Sequence, residues 1–308
     1  MVTESAITST VSSIPSIPSI PSITSIPVGA ASAVPAGLAR SWLLVPGSAP
    51  DLERRVAASA ADVVVVDLED GVAAVDKGRA RRALVDLAGA GLRPWVRIAD
   101  AASDEWRTDV ALLRGRGRDL VAGVVLAKVE AADHVRRTVD ALGGELPLVA
   151  LVESARGIES ALGIAEAPGV VRLAFGSGDF RRDTGAADDP LALLYARTRL
   201  VSTSRAAGLP GPVDGPTVPR DADALALASA HAASLGMTGR LCLREEQVAA
   251  VNAALSPSGD ELAWALEVLA TVERRGIRDG SDLPRIARAR SLCAAAEAYG
   301  IPPFGAAD

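Results

Sequence analysis

From Arg40 onward, short apolar runs rich in Val and Leu alternate with longer stretches of Ala, Leu and Arg in which apolar positions recur at helical spacing. The short runs suit buried strands and the longer ones amphipathic helices. Eight strands are predicted: SWLLVPG from 41, DVVVVDLED from 62, RPWVRIAD from 93, GVVLAKVE from 123, PLVALVES from 147, VVRLAFGSGD from 170, GPVDGPTV from 211 and GRLCLREEQ from 239. Eight parallel strands, each followed by a helix or long loop, predict an α/β fold of the TIM (β/α)8 barrel kind, with an open doubly wound sheet as the alternative. Beyond them, ELAWALEVLATVERRG and RIARARSLCAAAEAYG read as two helices whose apolar face needs a partner surface. The expected organisation is a tail over 1–38, a barrel over 39–255 and a C-terminal helical extension over 256–308, packing on a neighbouring subunit.

Composition sharpens this reading. The chain has 308 residues, 49% of them hydrophobic but only 3% aromatic, so the core must be built from Ala, Val and Leu. A net charge of -6 argues against a broad nucleic-acid footprint, and no apolar run is long enough to span a bilayer. Cys242 and Cys293 match no zinc or redox spacing and read as buried thiols in a reducing compartment, the cytoplasm. The first residues repeat Ser-Ile-Pro, and their prolines forbid the helix a secretory signal would form. A disordered or polyproline-like spacer is expected there.

In a barrel the chemistry sits where strands end. Charge collects at those ends: Asp67, Glu69 and Asp70 after strand two, Arg97 and Asp100 after three, Lys128 and Glu130 after four, Glu153 after five, Asp179 after six. Each residue alone could mark the place where a buried strand meets water. Two carboxylates on neighbouring strands, Glu153 and Asp179, instead describe a magnesium site completed by waters and substrate oxygens, where zinc would want His or Cys. Gly176, Ser177 and Gly178 would offer backbone amides to an anionic substrate such as a 2-oxo acid. Arg97 interrupts an apolar strand, so it either pairs with Asp67, Glu69 or Glu153 or faces the cavity to stabilise negative charge. Lys128, among acidic neighbours, is expected to stay protonated and support the site from behind, with Asp67, Glu69 and Asp70.

The segments RSWLLVPGSAPDLERR, DVVVVDLEDGVAAVDKGRAR, LVESARGI, FGSGDF, VDGP and GRLCLREEQVAAVN resemble, in order, the citrate lyase β-subunit-like CoA-ester lyases of the HpcH/HpaI aldolase superfamily. The resemblance implies that Glu153 and Asp179 hold Mg2+ and that Arg97 is catalytic. It also implies that Asp282, in RDGSDLP, moves a proton after being donated from a neighbouring subunit of a homotrimer or hexamer; the plain alternative is a helix N-cap before Pro284. Arg54 and Arg55 are candidate contacts for CoA, which enters as part of the substrate. The chain departs from the pattern at Leu243-Arg244-Glu245, where members usually carry Ile-His-Pro.

The function implied is a magnesium-dependent carbon-carbon lyase. It would split a malyl-, citramalyl- or citryl-CoA-like ester into a 2-oxo acid and an acyl-CoA by reversible Claisen-type cleavage. Competing readings are a CoA-independent aldolase or decarboxylase of a small 2-oxo dicarboxylate, a thioesterase on the same scaffold, and a non-catalytic scaffold subunit.

Overall fold

Strands form at all eight predicted places: β1 (Ser41–Pro46), β2 (Val63–Asp67), β3 (Trp95–Ile98), β4 (Gly123–Leu126), β5 (Leu148–Val152), β6 (Val170–Phe175), β7 (Val213–Asp214) and β8 (Gly239–Cys242). A computed structural model describes residues 34–218 and 221–302, so the predicted Ser-Ile-Pro spacer lies, up to residue 33, outside the described residues. Every neighbouring pair is parallel and β8 pairs with β1, which closes the sheet into a barrel and excludes the doubly wound alternative. Closure leaves no strand edge to protect.

Side chains alternate across the barrel wall. Trp42, Leu44, Val63, Val65, Trp95, Val149, Leu151 and Ala174 form one cluster inside, while Leu43, Val45, Val66, Val96 and Leu173 join the helices in a second cluster outside. Trp42 and Trp95 meet edge to face at 5.2 Å, filling volume that Val and Ala would leave empty. Gly123 makes the room, because a Cβ there would sit 2.5 Å from the Trp95 ring. The N-terminal mouth is plugged by fully buried Arg172. Its guanidinium donates to the carbonyls of Gly211, Ala36 and Ala39 and to Thr238 Oγ1, with no carboxylate among these partners. Burial accordingly lowers its pKa to about 10.

The same alternation carries polar residues to the opposite mouth. One inward step beyond Val65, Trp95, Leu151 and Ala174 stand Asp67, Arg97, Glu153 and Gly176. The site therefore rests on the barrel's own core.

At the C-terminus, helices Gly259–Arg275 and Asp282–Ala298 pack on each other through Ala265, Val268, Ile286 and Ala289. Part of the apolar face expected to need another subunit is thus consumed within this pair, while Leu266, Ile277 and Leu283 remain exposed. The pair is tied to the barrel by Tyr299, whose hydroxyl donates to Leu38 O at 2.7 Å and whose ring stacks 3.9 Å from the Arg40 guanidinium. Cys242 is buried, which pushes its thiol up to about 12. Cys293 is only half-buried, because it lies in the helical pair rather than in the barrel core. No helix among the described residues is long and apolar enough to cross a membrane.

Candidate active site

Parallel register places Arg97 of β3 beside Asp67 of β2. The guanidinium grips that carboxylate with both prongs, Nε to Oδ1 at 2.8 Å and Nη2 to Oδ2 at 2.7 Å, and Nη2 also lies 3.5 Å from Glu69. Asp67 further accepts the backbone N–H groups of Glu69 and Gly71, so it serves as the hub of the Asp67–Gly71 loop. Burial alone would lower the pKa of Arg97, but the hydrogen bonds and charge of Asp67, then the charges of Glu69 and Glu153, raise it well above its ordinary value. The first sequence-based reading of Arg97 holds: it is paired, with Asp67.

Glu153 follows β5 and is 4% exposed. Its Oε1 accepts the Lys128 backbone N–H at 2.8 Å. On its other side lies Gly176, where an added Cβ would fall 2.2 Å from Oε2 and 2.4 Å from the Glu153 Cβ. Only a residue without a side chain leaves space for this carboxylate. Gly176 also ends the strand: Ser177–Thr184 is a helix with Gly176 at its N-cap, so the predicted Gly-Ser-Gly turn is a helix start. Asp179 sits in that first turn, with the amides of Ser177 and Gly178 just ahead of it and without intrahelical partners. Ser177 is fixed from outside by Gly215 after β7, where a Cβ would lie 2.1 Å from Ser177 Oγ.

Burial first, then the charge of nearby Asp179, push the pKa of Glu153 up to about 8. Between the ordinary value of 4.5 and about 8, the folded chain keeps a proton here that the unfolded chain has released. The group's contribution to stability is therefore full below the lower value and lost as pH rises through the upper one. In divalent-free buffer, Glu153→Gln should gain on the unmodified protein in urea midpoint from about pH 5 to about pH 8. Parallel pH profiles for the two proteins would contradict this.

The residues present fit magnesium. Glu153 and Asp179 repel each other across a gap that a cation would neutralise, and the Gly176 cradle keeps that gap open. Among the described residues no cluster of three or more His, Cys, Asp or Glu forms a closed metal cage. Two carboxylates with open positions suit an ion that keeps waters and accepts substrate oxygens.

The predicted supporting residues gather as expected. Lys128 pairs through its ammonium with Glu69 and, at 2.8 Å, with Asp70. Burial would lower its pKa, but those two carboxylates raise it well above the ordinary value, so it stays charged. Burial raises the pKa of Glu69. Asp282 is not brought to this group: its carboxylate accepts the backbone N–H of Arg278, and as the first residue of its helix it lies one position past the N-cap. Two contacts escaped the sequence reading. Lys77 braces the Asp67–Gly71 loop by donating to the carbonyls of Leu68 and Glu69, and Arg182 pairs with Asp179 at 2.9 Å. The second was signalled by the three-residue spacing on one helix.

On the same rim, a cavity of about 970 Å³ opens over the loops after β1, β7 and β8, lined among others by Asp51, Arg54, Arg55, Arg244 and Glu245. Arg244 and Glu245 of the Leu243-Arg244-Glu245 segment form part of its wall. Glu245 accepts from Ser59 Oγ and the Ala60 N–H, locking the end of the first helix to the β8 loop.

Comparison with known proteins gives the family. Residues 40–244 match the HpcH/HpaI aldolase/citrate lyase family model, and residues 260–300 match the HpcH/HpaI aldolase C-terminal domain. A citrate lyase subunit beta-like protein of Deinococcus radiodurans is 30% identical, covering 84% of this chain and 97% of its own. An L-malyl-CoA/beta-methylmalyl-CoA lyase of Rhodobacter capsulatus is 31% identical, covering 78% and 86%. Among solved structures, the protein CitE from Mycobacterium tuberculosis in complex with magnesium, acetoacetate and coenzyme A is 29% identical, with a TM-score of 0.68, covering 85% of this chain and 99% of that one. The chain belongs to the HpcH/HpaI aldolase/citrate lyase family.

Proposed function

We propose that this protein is a magnesium-dependent carbon-carbon lyase of CoA esters, cleaving a malyl-, citramalyl- or citryl-CoA-like substrate to a 2-oxo acid and an acyl-CoA. The observation that carries the reading is the buried Glu153 carboxylate at the end of β5, held between the Lys128 N–H and the Gly176 cradle, with the charges of Asp179 and Arg97 close by. A bound magnesium ion supplies Lewis acidity at the 2-oxo group. Glu153 and Asp179 would hold it, and the amides of Ser177 and Gly178 at the helix start would orient the substrate's carboxylate. In cleavage, the hydroxyl gives its proton to water and becomes the 2-oxo carbonyl as the bond between its carbon and the thioester's α-carbon breaks. Its electron pair passes into the thioester enolate, where Arg97 stabilises the charge while Asp67 and Glu69 keep the guanidinium aimed. The enolate then takes a proton to give the acyl-CoA.

That proton comes from Asp282 of a neighbouring copy in a homo-oligomer, a trimer or hexamer, working in the cytoplasm. Exposed Ile277 and Leu283 beside Asp282 support such a contact. The cavity on the rim brings together Arg54, Arg55 and Arg244, three cations for the phosphates of CoA, beside the carboxylates of Asp51, Asp221, Glu245 and Glu246. Asp282→Asn should lower kcat about 100-fold and leave magnesium affinity unchanged; unchanged turnover would remove Asp282 from the mechanism.

Calorimetry tests the reading at the level of binding. Oxaloacetate or pyruvate should bind when magnesium is present and give no heat without it. A 2-oxo acid that binds equally well in a chelator would sink the proposal. Binding of the 2-oxo acid with none of acyl-CoA would turn it towards a CoA-independent aldolase.

A further inference from the structure

Lys128 is the one residue other than glycine with positive φ among the described residues, at 52°. A lysine in the left-handed region is strained by its Cβ, and such strain persists only where the surroundings over-determine it. Here the surroundings are identifiable. In a regular parallel strand, successive N–H groups point to opposite neighbours. Ala127 follows that rule by donating to Ile98 O of β3. Lys128 still follows it by donating to Glu153 Oε1, just beyond β5, and Val129 breaks it by donating to Leu151 O of the same strand, which clamps the turn against β5 beside Glu153. The left-handed residue makes two consecutive amides face one side.

We infer that the left-handed backbone of Lys128 is a positioning device for Glu153. It rests on the reading of Glu153 as a magnesium ligand. One carboxylate oxygen is held by the Lys128 N–H, while the other lies against Gly176. The lysine side chain supplies what holds the strained turn, by anchoring its ammonium on Glu69 and Asp70. A glycine would adopt this backbone without strain but could not tie it to the Asp67–Gly71 loop. Lys128 thus joins the metal site to the loop that aims Arg97.

Two variants separate backbone from charge, because both lack the ammonium. Lys128→Gly retains the left-handed turn at no steric cost; Lys128→Ala retains a Cβ and has lost its anchor, so it populates the turn less. Affinity falls by the fraction of molecules no longer competent. Magnesium titrated into the full chain by calorimetry, without substrate, should bind Lys128→Ala at least about fivefold more weakly than Lys128→Gly. Equal affinities, or tighter binding by the alanine variant, would overturn the inference while leaving the magnesium site standing. If the unmodified protein gives no heat at millimolar magnesium, the metal reading falls and this inference with it.

Discussion

Gly176→Ala should abolish magnesium binding, with at least about a 100-fold loss of affinity and a loss of stability of about 1–3 kcal/mol from overpacking. The new methyl would stand 2.2 Å from Glu153 Oε2 and 2.4 Å from its Cβ, and the Cβ cannot swing aside because the backbone fixes it. Glu153 is buried, and its other oxygen is tied to the Lys128 amide. Relief therefore has to come from moving the carboxylate out of the mouth or bending β6 away from β5. Gly178→Ala, two residues on, is the matched control. Nothing lies within 4 Å of the Cβ it would gain, and it sits inside the first turn of a helix. It should keep magnesium affinity and gain about 0.5–1 kcal/mol from helix propensity. Calorimetry with far-UV circular dichroism reads both effects. Normal magnesium binding by Gly176→Ala would remove the cradle from the account.

Removing Arg97 should be costly in two separable ways. Arg97→Met strips the bidentate partner from Asp67, which is 2% exposed, and the attractive neighbour from Glu69. Breaking a buried ion pair on one side costs about 3–5 kcal/mol, because the remaining charge has no replacement for its partner. Turnover should fall about 100-fold or more through loss of the oxyanion donor. The double variant Arg97→Met with Asp67→Asn separates the two, since removing both charges while keeping an oxygen for the loop's N–H groups recovers part of the stability but not turnover. Urea unfolding and kcat are the readouts. A stability loss under about 1 kcal/mol would show that solvent already screens the pair. Recovered turnover in the double variant would take Arg97 out of the chemistry.

The fold was largely legible because its signal is local. Most strands are short β-branched runs, and counting eight short apolar runs selects a barrel over smaller sheets. Candidate residues were legible for a related reason: a charged residue one inward step past a buried Val or Leu has to face the mouth. What sits between those residues was not legible. That Arg97 meets Asp67 depends on the register of β2 against β3, which no single strand carries. The Gly176–Gly178 segment reads as a turn by composition, yet its backbone starts a helix because Phe180 donates back to Gly176 O. The left-handed Lys128 has no sequence signature at all, since glycine or asparagine is the ordinary choice there. Asp282 marks another boundary: its partner within this chain is Arg278, and a role in catalysis needs a second copy.

The most direct test is to follow 2-oxo acid and free thiol released from malyl-CoA, citramalyl-CoA and citryl-CoA as magnesium is titrated in, for the unmodified protein and Asp179→Asn. The account predicts 2-oxo acid from at least one ester, rising with magnesium and absent in the variant. Release of 2-oxo acid that ignores magnesium and survives in Asp179→Asn, or thiol released from these esters without any 2-oxo acid, would contradict it.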